Sequence, residues 1–253
     1  MFGNPTLPVG TRILMLARLL TVQGSYNYET MIGNGIAFAI EPALRLLPGG
    51  RGGDAYRTAL ARQSRYFNAH PYFAALAVGA LARAELSLEA PDRIERFRTA
   101  ACGPLGSVGD RLIWAAWLPL CSLLALLAVG MGAPPLVVIA GFLVVYNAGH
   151  LTIRIWGLNA GWRCGLGVAT ALDRPIFRDG PAVLTRVAAL VAGAATPLAV
   201  AVIAGARPAG VVVIAALGVL GAVVLDQLHG RIAGWRAALW FLTASALAAM
   251  VIR

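Results

Sequence analysis

The stretch LIWAAWLPLCSLLALLAVG, residues 112–130, carries no charged side chain. A bilayer crossing needs about 20 mostly apolar residues, so this run reads as a transmembrane helix. It is followed by MGA (131–133) and then by a second apolar run, PPLVVIAGFLVVYNAGHLT (134–152). A connection this short, built of Gly and Pro, leaves room only for a tight transmembrane hairpin. Outward from the hairpin, residues 187–204, 209–226 and 236–252 have the same length and character. The expectation is an all-α polytopic integral membrane protein with about five transmembrane helices.

The bulk numbers agree. The chain has 253 residues, 59% of them hydrophobic and only 13% charged, where a soluble domain carries about 25%. Its mean hydropathy is +0.74. Water cannot solvate that much apolar surface on a chain this short. The formal net charge of +10 raises the question of nucleic acid. The arginines, however, lie between apolar runs rather than along one basic stripe, which is how cytoplasmic loops hold a membrane protein's orientation. There is no lysine, which excludes Schiff-base chemistry. The three cysteines, Cys102, Cys121 and Cys164, lack metal-ligand spacing, and no metal or cofactor is expected. The opening MFGNPTLPVGTR lacks the basic-then-apolar order of a signal peptide.

Arg93, Arg96, Arg98 and Arg111 precede the first span, and Arg154, Arg163, Arg174, Arg178 and Arg186 follow the second. Both flanks of the hairpin are therefore expected in the cytoplasm, with its Gly/Pro tip outside. The first hundred residues differ. Residues 31–47 are interrupted by Gly33, Gly35, Glu41 and Pro42, and residues 72–88 hold Arg83 and Glu85. Neither is a clean span, so both read as interfacial, re-entrant or cavity-lining helices. The chain divides on this reading into an N-terminal polar, partly re-entrant helical region, 1–111, and a transmembrane region, 112–253.

Three clusters set polar side chains inside apolar sequence: Gln23-Gly-Ser-Tyr-Asn-Tyr-Glu-Thr-Met31, Arg65-Tyr-Phe-Asn-Ala-His-Pro-Tyr72 and Gly103-Pro-Leu-Gly-Ser-Val-Gly-Asp110. A polar group buried without a partner costs roughly 2–7 kcal/mol, so their presence needs a reason. Amides and carboxylates bond to vicinal hydroxyls, and aromatic rings stack on the apolar side of a pyranose. Gln23, Asn27, Glu29, Asn68, His70 and Asp110, with Tyr26 and Phe67, are such an inventory. The alternative is caps and turns, with Asn68 and Asp110 as N-caps and Gly-Pro-Leu-Gly as a plain loop. No nucleophile–base pair suggests a self-sufficient enzyme.

The ordered set Gln-x-Ser-[aromatic]-Asn-Tyr-Glu-x-Met, Phe-Asn-x-His-Pro-Tyr and Gly-Pro-Leu-x-x-Val-Gly-Asp, with Tyr146-Asn147 and Gly157-Leu-Asn-Ala-Gly-Trp162, resembles IID subunits of the mannose/fructose/sorbose-family phosphotransferase permeases. The resemblance covers roughly residues 18–168. It implies a subunit of the bacterial cytoplasmic (inner) membrane that pairs with a IIC subunit, in a higher oligomer surrounded by lipid, to translocate a hexose. Phosphoryl groups pass through IIA and IIB carriers, so the subunit belongs to a phosphotransferase complex without carrying the phosphoryl group. His70 is then structural or sugar-facing. The implied substrate-binding residues are Gln23, Tyr26, Asn27, Glu29, Phe67, Asn68, His70 and Asp110. Thr30, Gln63, Leu86 and Arg111 stand where the family commonly has Arg, His, an acid and a small or polar residue. These four departures keep open a second reading, a transport-inactive IID-like scaffold or regulatory partner.

Overall fold

The computed structural model describes residues 5–204 and a few helical residues between 216 and 227. Among them there is no β-strand, only two isolated backbone bridges; the described chain is all-helical. Among the described residues, three helices are long and apolar enough to cross a membrane: Pro91–Gly130, Pro135–Gly167 and Gly180–Ala199. They contain most of the spans expected at 112–130, 134–152 and 187–204. The expected span at 236–252, and all but a few residues of the one at 209–226, lie outside the described residues.

The chain folds as two compact units, one formed by residues 1–112 and 148–178 and the other by 113–147 and 179–253. The first unit begins with α1 (Val9–Leu19), which buries Met15 and Leu19 one turn apart. In α2 (Gly33–Leu44), all residues except Asn34 and Phe38 are buried. Its glycines explain how it seats. A Cβ on Gly35 would lie 1.8 Å from the Val22 carbonyl oxygen, and one on Gly33 would lie 2.1 Å from that of Arg65. Only a bare Cα admits backbone so close. Pro42 has no N–H to give to Phe38 four residues back. Arg18 fills that vacancy, donating through Nη1 to the Phe38 carbonyl at 2.9 Å and stacking its guanidinium 4.4 Å above the Phe38 ring.

After a 3₁₀ turn at Gly50–Gly52, α3 (Asp54–Gln63) is polar and buries only Ala59 and Gln63, whereas α4 (Ala74–Leu86) is buried along most of its length. α4 crosses the C-terminal half of α7 (Pro135–Cys164), and both contribute glycine to the crossing. A Cβ on Gly79 would meet the Leu158 oxygen at 2.2 Å; one on Gly161 would meet the Leu76 oxygen at 2.0 Å. Gly157 and Gly161 are four apart on one face of α7, the spacing that lets two helix backbones touch. Arg83 of α4 donates to the Trp162 and Arg163 carbonyls, satisfying acceptors at the end of α7. Near the start of this half, Arg154 donates to the Leu19 carbonyl of α1 and lies 4.8 Å over the Tyr72 ring, which stacks on His150. Short helices α8 (Ala169–Leu172) and α9 (Pro175–Arg178) complete the unit, with Phe177 packed edge-on to Phe73.

After α4 the chain forms α5 (Pro91–Gly109), which continues into a π-helical segment, Asp110–Trp117, and then into α6 (Leu118–Gly130). Gly103-Pro-Leu-Gly106 is thus helical, not the plain loop that its composition allowed, and Asp110 heads the wide-turned segment instead of capping a new helix. Pro119 lacks the N–H that would close an ordinary turn onto Ala115, and the turns just before it widen accordingly.

In the second unit α6 ends in a Schellman cap. Gly132 has φ +81, its N–H reaches the Val129 carbonyl at 2.9 Å, and the Ala133 N–H reaches that of Ala128 at 2.9 Å. Pro134 and Pro135 start α7 immediately, as the hairpin reading expected. α6 packs on α10 (Gly180–Ala204), where a Cβ on Gly130 would lie 2.5 Å from that of Leu198. The opening turns of α7 expose Leu136, Val137, Ile139 and Val144. An apolar surface on all sides fits hydrocarbon, not water.

Candidate functional site

The first motif, residues 23–31, is a rigid turn organised by Asn27. Its Oδ1 accepts the Glu29 and Thr30 N–H groups at 3.0 and 2.8 Å, and its Nδ2 donates to the Ser25 carbonyl at 3.2 Å and to Thr30 Oγ1 at 2.9 Å. A side chain that replaces missing backbone partners in this way is an Asx turn. The backbone closes the same turn: Met31 donates to the Asn27 carbonyl at 2.8 Å and accepts its N–H at 3.4 Å. Met31 adopts φ +53, a left-handed conformation uncommon for a residue with a Cβ.

The second motif is strapped onto the first. Phe67 donates its N–H to the Thr30 carbonyl at 3.2 Å, and its own carbonyl accepts the Ile32 N–H at 3.1 Å. The third motif reaches the second through helix α5. Cys102 Sγ accepts the Asn68 N–H at 3.4 Å, and at Gly109 a Cβ would lie 2.2 Å from that of His70. The three sequence clusters are therefore neighbours in one unit, joined by direct contacts between consecutive members.

Their side chains divide into two groups. Gln23, Tyr26, Glu29, Asn68 and Asp110 are exposed; Tyr26 packs edge-on against Tyr28, which is 89% exposed. Asn27 is half-buried, with its amide engaged in its own turn. Phe67 and His70 lie in the core. His70 is 2% exposed, accepts the Tyr72 N–H at Nδ1 and packs edge-on against Tyr72 and Phe73. Burial, with the Arg154 charge adding, pushes its pKa down to about 4, so the ring is neutral near pH 7. Phe67 and His70 thus pack beneath these loops, while the other five present their side chains outward.

Two carboxylates that sequence patterning treated only as interruptions are ionic hubs. Glu41 takes a two-pronged contact from Arg45 at 2.8 and 2.7 Å, Arg18 at 2.8 Å, the Tyr56 hydroxyl at 2.9 Å and Arg51 at 3.3 Å. The Arg45 fork, helped by Tyr56 and Arg18 against the opposing effect of burial, holds its carboxyl at a pKa of about 2. Glu85 accepts from Arg62 at 3.0 and 2.9 Å and from Gln63 Nε2 at 2.7 Å. Arg45, four residues after Glu41, was a local signal; Arg18 and Arg62 lie 23 residues from their acids, where no spacing rule selects a partner.

An all-helical membrane protein whose polar loops are tied together by hydrogen bonds is the class that this fold and site define. The chain belongs to the family of IID components of the mannose/fructose/sorbose phosphotransferase systems, whose family model matches residues 7–228. It is 29% identical over 155 residues to the PTS system mannose-specific EIID component of Escherichia coli (strain K12), covering 58% of this chain and 52% of that protein. It is 30% identical over 161 residues to the fructose permease IID component of Bacillus subtilis (strain 168), covering 61% and 56%. With the sorbose-specific EIID component of Klebsiella pneumoniae it shares 27% over 185 residues, covering 69% and 65%. The chain spans about half the length of the Escherichia coli relative and less than two thirds of the other two. Among solved structures, one described as the mannose transporter ManYZ in complex with microcin E492 has a TM-score of 0.59 at 18% identity, covering 97% of this chain and 96% of that one. A second, described only as a membrane protein, has a TM-score of 0.65 at 24% identity, covering 75% and 70%. Both likenesses concern the fold alone.

Proposed function

We propose that this IID component translocates a hexose together with a IIC partner in the bacterial inner membrane, with transport coupled to sugar phosphorylation by IIA and IIB carriers. The observation that carries the reading is the strapping of residues 23–31 to 65–68, which holds Gln23, Tyr26, Glu29 and Asn68 exposed on fixed backbone. Amide and carboxylate groups so held can bond to sugar hydroxyls with little ordering cost, and Tyr26 offers a stacking face. Asp110 joins from the end of α5. The pairing with IIC and the hexose class are drawn from what the relatives are named for. A shift of the motif-bearing unit as a rigid body is the mode of transport this reading favours.

The test is co-production with a IIC subunit and measurement of mannose, fructose and sorbose uptake. Replacing Glu29 and Asp110 with Ala is expected to abolish uptake at unchanged membrane levels; undiminished uptake would remove the site assignment. One observation favours the scaffold reading instead. The Asn27 amide is engaged by Thr30, the Gln63 amide by Glu85 and Arg98, and the Glu85 carboxylate by Gln63 and Arg62, which leaves fewer groups for a ligand. A complex that assembles with IIC yet neither takes up nor binds any of the three sugars would decide for the scaffold.

A further inference from the structure

We infer that Arg98 is a positioning residue for the sugar site, fixing the loops that present Glu29 and Asn68; the inference rests on the sugar-site reading above. Arg98 lies on α5 with its side chain 2% exposed. A buried guanidinium is costly unless its donors are used, and here they converge on one segment of chain. Nη1 donates to Gln63 Oε1 at 2.6 Å; Nη2 donates to the Arg65 carbonyl at 2.8 Å and to that of Tyr66 at 3.2 Å. The guanidinium carbon lies 5.3 Å from the centre of the Phe67 ring. One side chain thus engages residues 63, 65, 66 and 67.

What lies beyond that segment gives the contacts their consequence. Phe67 is the residue whose N–H and carbonyl hold Thr30 and Ile32, so the Asn27 turn is tied to α5 through it. One turn further along α5, Cys102 takes the Asn68 N–H. Behind Arg98, Gln63 is fixed in turn, because its Nε2 is bound to Glu85, which Arg62 grips with both prongs. Glu95, whose Oε2 lies 3.8 Å from Arg98 Nε, is bound by Arg65 at 2.9 Å. The guanidinium is a planar fork that meets a side-chain oxygen and two carbonyls at once. An ammonium at the same place is a point charge on a flexible stem and cannot. Arg98 touches no exposed motif side chain, so it acts by placing them.

The test uses the full chain co-purified with its IIC partner, with Arg98→Lys as the variant and mannose, fructose and sorbose as probes. Losing a charge-assisted bond to the loop while keeping the charge is expected to raise the sugar concentration for half-maximal thermal stabilisation, and the KM for uptake, by about 10-fold. Maximal uptake per assembled complex stays within about twofold, because no transported group touches Arg98. Arg83→Lys is the control, since Arg83 also binds carbonyls of the same unit, at the end of α7 and away from the motifs. It is expected to lower the melting temperature without moving KM. An Arg98→Lys complex with unchanged KM, or one whose only defect is less assembled protein, overturns the inference. If Glu29→Gln and Asn68→Ala raise KM in that same experiment, the sugar-site reading survives alone. If they do not, or if none of the three sugars stabilises the unsubstituted pair, that reading falls and the role of Arg98 with it.

Discussion

Gly161 of α7 and Leu76 of α4 are in backbone contact: a Cβ on the glycine would sit 2.0 Å from the leucine's carbonyl oxygen. That oxygen belongs to a buried helix and cannot rotate away. Gly161→Ala must therefore push α4 and α7 apart, at a cost of about 2–3 kcal/mol. Gly79→Ala, facing the Leu158 oxygen at 2.2 Å from the other side, is expected to act alike. Gly103, also helical, has nothing within 4 Å of its Cβ position. Gly103→Ala should stabilise by about 0.5–1 kcal/mol through lost unfolded-state freedom. Thermal unfolding in detergent should place Gly161→Ala and Gly79→Ala below the parent and Gly103→Ala above it, and a Gly161→Ala protein that melts like the parent would refute the close crossing.

Glu41 binds three arginines and a tyrosine hydroxyl. Removing its charge leaves Arg18 and Arg45 without their anion, so Glu41→Gln should cost about 3 kcal/mol. Arg51 is mostly exposed at 3.3 Å, and Arg51→Ala should cost less than about 0.5 kcal/mol. The pH dependence follows from the lowered carboxyl pKa of about 2 against an ordinary 4.5. A depressed acid contributes stability that is complete above pH 4.5 and fades as pH falls toward 2. Melting temperatures between pH 5 and 3 should drop more steeply for the parent than for Glu41→Gln.

His70 titrates in a different window. Its folded pKa is about 4 against 6.5 unfolded, so below pH 6.5 protons bind the unfolded chain first. The protein should lose stability as pH falls from 6.5 to 4, by up to about 3 kcal/mol from this residue. His70→Gln is expected to flatten that part of the curve and leave the Glu41 arm below pH 4.5 intact. Equal slopes in parent and variant between pH 6.5 and 5 would show that the ring is not held neutral by its surroundings.

What the sequence disclosed and what it hid follow from the range of the interactions. The hairpin at 131–135 was legible because every bond that shapes it is local: the Gly132 cap, the Ala133 N–H to Ala128 and the two prolines. The Asn27 turn was not legible, although its bonds to residues 29 and 30 are local, because the sequence reading assigns Asn27 to sugar as a binding amide. The helical course of Gly103–Gly106 was not legible either, because Gly and Pro signal a loop unless the helix on both sides carries them through. Residues 31–47 and 72–88 looked broken because Glu41 and Glu85 are charged. Glu41 has one local partner, Arg45 four residues on, but Arg18 and Arg62 reach these acids from 23 residues away. Such pairings are invisible to any window one helix wide. Exposed Asn68 and buried Phe67 are adjacent in one motif, and their partners Thr30, Ile32, Arg98 and Cys102 are all more than thirty residues away, so that distinction too lay beyond local reading.

The left-handed backbone at Met31 offers the sharpest probe of the motif loop. Its φ of +53 is imposed from three sides: the paired bonds to Asn27, the Thr30–Phe67 bond just before it and the Ile32–Phe67 bond just after it. Met31→Gly removes the steric cost of that conformation and should be neutral or stabilising by up to about 1 kcal/mol. Met31→Val sets a β-branched side chain in the same place and should cost about 1–3 kcal/mol. If Glu29 and Asn68 are held for sugar by this loop, Val also weakens sugar-dependent stabilisation of the IIC complex, whereas Gly preserves it. Comparable behaviour of the Gly and Val proteins would mean that residue 31 relaxes into extended backbone, and the strap between the two motifs would then not form as described.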